Sequence, residues 1–169
     1  DLPQALEEKY NGWLNKTAMR QYFVEFADVC FKNFGDRVKH WITLNEPWVQ
    51  AQLAYGSGGN APGRCTGCRN GGNSATEPYI AAHSQLIAHA AVVDLYRTKY
   101  QKQQEGVIGI TLNSDWNEPL TDSPKDVAAA QRYQEFQLAW FADPVTKGDY
   151  PESMRERVKE RLPRFTAEE

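Results

Sequence analysis

The chain has 169 residues, of which 41% are hydrophobic and 12% aromatic, enough for one ordinary domain with a core. Its formal net charge is −3 and its 19 Lys and Arg residues are scattered, so we expect no nucleic-acid surface. No stretch approaches the ~20 apolar residues of a membrane span, and no signal segment opens the chain. Since Asp1-Leu2-Pro3 includes no initiator Met, we expect the interior of a longer protein.

The first half of the chain predicts a helix, a strand and a long loop. A helix over 17–34 is indicated by one apolar stripe, which ends at Gly35-Asp36. A buried strand over 38–44 is rich in β-branched and aromatic residues and stops at Pro47. Residues 48–75 hold many Gly, Asn and Ser without a sustained period, which predicts a functional loop. The predicted stripe consists of Tyr22, Phe23, Phe26, Ala27, Cys30 and Phe34.

The second half alternates helices with a single clear strand. A helix beginning near Ser74 or Thr76 runs to about Tyr100, and the strand Val107–Leu112 follows. A third helix covers about 124–141 and a short one 151–161. Helices and strands alternating at this spacing predict an α/β fold with parallel strands joined by right-handed crossovers.

The three cysteines leave several interpretations open. Cys30 lies in an apolar helical pattern and is predicted to be a buried thiol. Cys65 and Cys68 form a C-x-x-C in a Gly-rich loop, which favours a local disulfide over two free thiols. A zinc site needs two further ligands, and no second Cys pair or H-x3-5-H follows. We therefore predict neither a metal nor a cofactor.

Polar residues beside a tryptophan follow both predicted strands, as Asn45-Glu46-Pro47-Trp48 and Asn113-Ser114-Asp115-Trp116. Functional groups of α/β units collect at the carboxyl ends of strands. A carboxyl group walled by indole rings loses solvation, so it can hold a proton and act as an acid. Alternatively, Glu46 merely begins a surface loop, and the two tryptophans only close the end of a barrel.

A series of segments resembles one enzyme family over essentially the whole chain. The segments are, in order, Asp1-Leu2-Pro3-Gln4, Phe34-Gly35-Asp36-Arg37-Val38, Trp41-Ile-Thr-Leu-Asn-Glu-Pro47, Ala61-Pro62-Gly63, Asn73-Ser74-Ala75-Thr76-Glu77-Pro78-Tyr79, Ala82-His83, Ile108-Gly-Ile-Thr-Leu-Asn113, Trp140-Phe-Ala-Asp-Pro144, Gly148-Asp149-Tyr150-Pro151 and Arg161-Leu162-Pro163-Arg164-Phe165-Thr166. In this order and at these intervals they resemble the family 1 glycoside hydrolases, the β-glucosidase and lactase-like enzymes. The resemblance implies a retaining β-glycosidase acting on small β-glycosides or oligosaccharides.

The resemblance also implies roles for individual residues. Glu46 would be the general acid/base, and Asn45 would contact the sugar 2-hydroxyl. Trp48 and Leu53 would form part of the wall of the leaving-group subsite, with Asn113 and Trp116 as further lining residues. His83 is expected in the core or behind the site. Family thioglucosidases carry Gln at the position of Glu46, so the resemblance implies an O-glycosidase.

The chain lacks the family's nucleophile segment and is too short for the family's complete barrel. The family nucleophile lies in an I/V-T-E-N-G segment, which is absent here. A (β/α)8 TIM barrel takes about 250 residues, so we expect residues 1–169 to form a single partial barrel domain without an internal boundary. The rest of the barrel would lie in the same protein or another chain, and this piece alone would be inactive. The C-x-x-C spacing is also tighter than that of the loop cysteines in plant members.

Two other functional classes remain open from sequence. One is a non-catalytic glycan-binding or receptor-like member of the same fold. The other is a thiol or zinc protein built on Cys65 and Cys68. Asn15-Lys16-Thr17 is a glycosylation sequon that matters only in the secretory pathway. Localisation is not fixed by the sequence, although a secreted or lumenal compartment is favoured over the cytoplasm.

Overall fold

The computed structural model describes residues 2–169. Its helices and strands are α1 (Gln4–Tyr10), α2 (Lys16–Phe34), β1 (His40–Asn45), α3 (Pro47–Val49), α4 (Glu77–Leu95), α5 (Gln101–Gln104), β2 (Val107–Thr111), α6 (Pro124–Gln134), α7 (Trp140–Lys147) and α8 (Glu152–Val158). Wider π-helical turns continue α3, α4 and α6 over Gln50–Ala54, Tyr96–Tyr100 and Glu135–Ala139. Tight 3-10 turns occupy Gly12–Leu14 and Lys159–Arg161. Across residues 2–169, no helix has both the length and the apolar character needed to span a bilayer.

The two strands pair in parallel, as the alternation of helices and strands predicts. His40 lies opposite Val107, and the register is regular as far as Ile42 opposite Gly109. Asn45 then lies opposite Thr111, so Thr43 and Leu44 share a single partner position. This two-against-one arrangement is a β-bulge in β1, directly before the end of the strand.

Helix α2 buries only part of the predicted stripe, in which Ala27 is buried and Tyr22, Phe23 and Cys30 are partly buried. Its buried residues are Met19, Ala27 and Phe31, whereas Phe26 is 63% exposed and Phe34 is also exposed. The helix carries apolar residues on more than one face, and the face that packs on α4 is the buried one. At the start of α2, the sequon residue Asn15 is the N-cap, and its Oδ1 accepts the Ala18 N–H at 3.1 Å.

Three other predictions need correction. The segment 48–75 is not all loop, because its first residues continue α3 through Gln50–Ala54. Ala51, Ala54 and Tyr55 are fully buried there, and their burial stabilises the helical turns. The third predicted helix extends to Lys147, well beyond residue 141. Cys30 is a free thiol but is only partly buried.

Helix α4 is the central element of the fold. Every residue from Ala81 to His89 is buried, because α4 packs against α2, both strands and α7. One apolar cluster joins α4 to α7 and α8 around Trp140, and a second lies beneath α1 around Trp13 and Tyr55. A third joins α2, β1 and the end of α4 around Phe31. The two strands are therefore supported from one side by a layer of packed helices.

Candidate active site

Glu46 lies immediately beyond the carboxyl end of β1. Its N–H donates to the Thr111 carbonyl at 2.9 Å, which ties it to the end of β2. Its own carbonyl accepts the Val49 N–H at 2.8 Å, which starts α3. Between these two hydrogen bonds the backbone of Glu46 is left-handed, with φ 47° and ψ 61°. A non-glycine residue in this region costs about 1–2 kcal/mol, and such residues concentrate at functional sites.

The bulge in β1 changes which way the last strand residues face. Trp41 contacts Phe31 of α2, and Thr43 contacts His89 of α4, so both face the helical layer. Ile42, between them, is 62% exposed. Leu44 also packs against the helical clusters, which breaks the alternation, and Asn45 is exposed. Asn45 therefore lies on the open side, where strict alternation would have turned it towards the helices.

The residues after Glu46 are anchored by α4. Pro47 is fully buried, and its carbonyl accepts a hydrogen bond from Nε2 of the buried Gln85 at 3.4 Å. Trp48 is half-buried and packs against the cluster around Trp140. Leu53, in the following π-helical turn, is exposed. The two residues predicted to form the leaving-group wall therefore differ in burial: Trp48 packs at the edge of the core, whereas Leu53 is exposed to solvent.

The segment after β2 is held by glutamines that sequence reasoning missed. The Asp115 N–H donates to Oε1 of the buried Gln137 at 3.1 Å, and Gln134 Nε2 donates to the Asp115 carbonyl. Asn113 is partly buried, and its Oδ1 has no hydrogen-bond partner among residues 2–169. Trp116 is 77% exposed and donates from Nε1 to Glu118 at 2.5 Å. The spacing of Gln134 and Gln137 on one helical face was the available signal.

The carboxyl group of Glu46 is free for chemistry. Within the described part of the chain it accepts no hydrogen bond, and the side chain is only partly buried. The structure joins the two strand ends through Glu46 and Thr111. The two indoles have different surroundings, because Trp48 packs against the cluster around Trp140 whereas Trp116 is exposed. A carboxyl group in this position can exchange a proton with a ligand on the open side of the strands.

His83 lies in the core rather than at the strand ends. It is buried, its Nδ1 is 2.9 Å from the Tyr150 hydroxyl, and its ring lies 4.6 Å from that of Phe165. Burial, and then the positive charge of Lys16, lower the pKa of His83 to about 4. The imidazole is therefore neutral near neutral pH. Among residues 2–169, no group of His, Cys, Asp or Glu side chains is arranged to hold a metal ion.

The loop over 56–76 is braced by several independent contacts. Cys65 and Cys68 form a disulfide. Arg64 donates to both carboxylate oxygens of Glu77, at 2.7 and 3.0 Å, which holds the loop against the start of α4. Gly58 has a positive φ, and a Cβ there would lie 2.5 Å from Cys68 Sγ, so only glycine fits beside the disulfide.

Comparison with known proteins shows the family. A family model described as "Glycosyl hydrolase family 1" matches residues 1–169. Beta-glucosidase 38 of Oryza sativa subsp. japonica is 57% identical over 169 residues, which cover 100% of this chain and 34% of that protein. A cyanogenic beta-glucosidase of Trifolium repens is 55% identical over 174 residues, covering 100% of this chain and 40% of that protein. The chain thus spans about a third of the length of the curated relatives it matches.

Solved structures agree with the sequence comparison. A rice β-glucosidase superposes with a TM-score of 0.96 at 54% identity, covering 99% of this chain and 36% of that one. A glucose complex of a β-glucosidase from the fungus Humicola insolens has a TM-score of 0.97 at 46% identity, with the same coverage. These enzymes are (β/α)8 barrels, so the predicted α/β fold class, a part of a TIM barrel, is confirmed. The chain belongs to glycosyl hydrolase family 1.

Proposed function

We propose that this chain supplies the acid/base half of a retaining β-glycosidase of the β-glucosidase type, acting on O-glycosidic bonds. The observation that carries the proposal is the position of Glu46. Its carboxyl group is free, its backbone is held in a left-handed conformation by two hydrogen bonds, and the exposed Asn45 precedes it. In a chain that belongs to a glycoside hydrolase family, this arrangement is suited to proton transfer at a glycosidic oxygen.

Retention of configuration needs two carboxyl groups ~5 Å apart. In the first step Glu46 donates its proton to the leaving oxygen while the second carboxylate attacks the anomeric carbon. In the second step Glu46 takes a proton from the water that opens the glycosyl-enzyme. The attacking carboxylate comes from the I/V-T-E-N-G segment that this sequence does not contain. It would therefore be provided by the remainder of the barrel, in the same protein or another chain.

Substrate binding is assigned to residues near the two strand ends. Asn45 would donate to the sugar 2-hydroxyl, since its side chain lies on the open side of β1. Trp48 and Leu53 would contact the leaving group, and Asn113 and Trp116 would line the approach to the sugar. The matched relatives are named β-glucosidases, which supports a β-glucoside or a related small β-glycoside as the substrate.

The test is the leaving-group dependence of Glu46→Ala in a complete family 1 enzyme that carries these residues. Loss of the acid should slow substrates with poor leaving groups by about 10²–10⁴-fold. Activated aryl glycosides leave without protonation, so their first step should survive. Equal losses for good and poor leaving groups would contradict the proposal.

Glu105 offers a matched control for this experiment. It is also a glutamate with a left-handed backbone, with φ 52° and ψ 37°. However, it precedes β2 and therefore lies at the amino end of the strands, opposite to Glu46. Glu105→Ala should leave turnover of both substrate types unchanged. Glycoside binding without any turnover by the unaltered complete protein would instead support a non-catalytic, glycan-binding member of the family.

A further inference from the structure

A partly buried relay of two side-chain hydrogen bonds crosses the bulge in β1. Thr43 Oγ1 donates to the Gly109 carbonyl of β2 at 3.2 Å, at the point where the regular ladder stops. The same oxygen lies 2.7 Å from Nδ1 of His89 on α4. Since a carbonyl can only accept, the Thr43 proton goes to Gly109, and His89 donates from Nδ1 to Thr43. The relay therefore runs from α4 through β1 to β2.

The surroundings of His89 fix this direction of donation. The side chain is 7% exposed, and burial, followed by the positive charge of Arg97, lowers its pKa to about 4. Near neutral pH the ring is neutral and carries a single N–H. Placing that proton on Nδ1 satisfies the Thr43 oxygen, whereas placing it on Nε2 would leave Thr43 with two acceptors for one proton.

The relay lies where it controls the last residues of the strand. Thr43 and Leu44 are the two bulge residues, and Asn45 and Glu46 follow them directly. If the bulge relaxed into a regular ladder, every later side chain would change sides. Asn45 would then turn towards the helical layer, and Glu46 would leave the position fixed by its hydrogen bond to Thr111.

We propose that Thr43 and His89 are positioning residues that hold the β1 bulge and thereby direct Asn45 and Glu46 towards the substrate. This inference rests on the proposed function of Glu46. Neither residue touches the substrate; both act through the backbone of β1. A small displacement of an acid from the leaving oxygen lowers the rate sharply because proton transfer needs hydrogen-bond geometry.

The experiment compares two isosteric hydroxyl deletions in the complete enzyme, Thr43→Val and Tyr150→Phe. Tyr150 is the matched control because its buried hydroxyl also forms a hydrogen bond with a buried histidine of α4, His83, but forms none with either strand among residues 2–169. Tyr150→Phe removes one buried hydrogen bond, whereas Thr43→Val removes two partly buried ones, to the Gly109 carbonyl and from His89. Only Thr43→Val should lower kcat/KM for poor leaving groups by about 10-fold or more while changing activated aryl glycosides by less than about 3-fold. Thr43→Ser keeps the hydroxyl and should restore the unaltered ratio.

A second variant tests the histidine. His89→Leu should show the same leaving-group-dependent loss, and His89→Asn should recover part of it, because the amide N–H₂ can donate to Thr43 from nearly the same place.

Equal effects of Thr43→Val and Tyr150→Phe on the leaving-group ratio would overturn the inference. So would failure of both Thr43→Val and His89→Leu to fold while Tyr150→Phe folds, because the relay would then support the fold alone. A normal leaving-group signature for Glu46→Ala in the same series would show that the function proposed for Glu46 still stands.

Discussion

Because the backbone of Glu46 is left-handed, we expect glycine at this position to give a higher free energy of unfolding than alanine. We compare Glu46→Gly with Glu46→Ala, since both remove the carboxyl group and differ only in Cβ. The same pair of substitutions at Glu105, which shares the left-handed conformation, serves as a second test. Ala128, an exposed residue of α6, supplies the right-handed reference through Ala128→Gly.

The magnitude follows from two opposing terms. Removing Cβ from a left-handed residue relieves about 1–2 kcal/mol of steric cost. Glycine adds about 0.5–1 kcal/mol of chain entropy to the unfolded state. The glycine variant should therefore exceed the alanine variant in free energy of unfolding by about 0.5–1 kcal/mol at both glutamate positions. In α6 the sign reverses, because glycine in a helix costs about 1 kcal/mol relative to alanine.

The assay is urea unfolding of the complete enzyme, followed by tryptophan fluorescence, with glucosidase activity measured on the same samples. Glu46→Gly should be inactive and yet more stable than Glu46→Ala, whereas both Glu105 variants should be active. If alanine is the more stable residue at position 46, as in α6, the left-handed conformation is not strained and the reasoning fails. Stored strain at position 46 would then have no support.

Three further predictions follow from burial and charge. Trp140→Ala, at a fully buried position, should lower the free energy of unfolding by about 3–5 kcal/mol. Trp116→Ala, at a position that is 77% exposed, should change it by less than about 0.5 kcal/mol. Similar urea midpoints for the two variants would contradict the packing. Burial lowers the pKa of His83 and His89 to about 4 from an ordinary 6.5, so the unfolded chain binds protons that the folded chain excludes, and stability should fall as the pH drops from 6.5 to 4. A urea midpoint independent of pH over this range, or a His83→Gln variant with an unchanged slope, would count against it. Finally, purified residues 1–169 alone should not hydrolyse an aryl β-glucoside, because the attacking carboxylate is missing and sheet edges are open; turnover free of contaminating complete enzyme would refute this.

The sequence predicts the strands and the long helices because hydrophobic periodicity determines them directly. The segment from Val107 to Leu112 is mostly apolar and β-branched and lies between Gly106 and the polar residues that begin at Asn113, and β1 is likewise rich in β-branched and aromatic residues. Their parallel pairing follows from the helix between them. Periodicity cannot show which face of α2 packs, since Phe26 and Phe31 lie on different apolar faces and only the position of α4 selects one.

The position of Glu46 after the strand is predicted from sequence, but its geometry is not. The bulge at Thr43 and Leu44 contains no glycine and depends on partners far along the chain, namely Gly109 and His89. The left-handed backbone of Glu46 cannot be predicted from the sequence either, because the neighbouring Asn45 has the greater intrinsic preference for left-handed φ and ψ values. The helical turns after Glu46 are not predicted, because the Gly-rich segment that follows them makes the whole stretch resemble a loop. Long-range contacts, which local sequence patterns do not contain, decide these features.

The most direct test of the central claim is the anomeric configuration of the product formed when azide rescues Glu46→Ala in the complete enzyme. Azide needs no general base and fits the space vacated by the carboxyl group, so it should restore turnover of activated aryl glucosides. If Glu46 is the acid/base, the second carboxylate still forms the glycosyl-enzyme and azide then displaces it, which gives a β-glycosyl azide of retained configuration by NMR. An α-glycosyl azide would identify Glu46 as the nucleophile, and absence of rescue with equal losses on good and poor leaving groups would mean that Glu46 is structural.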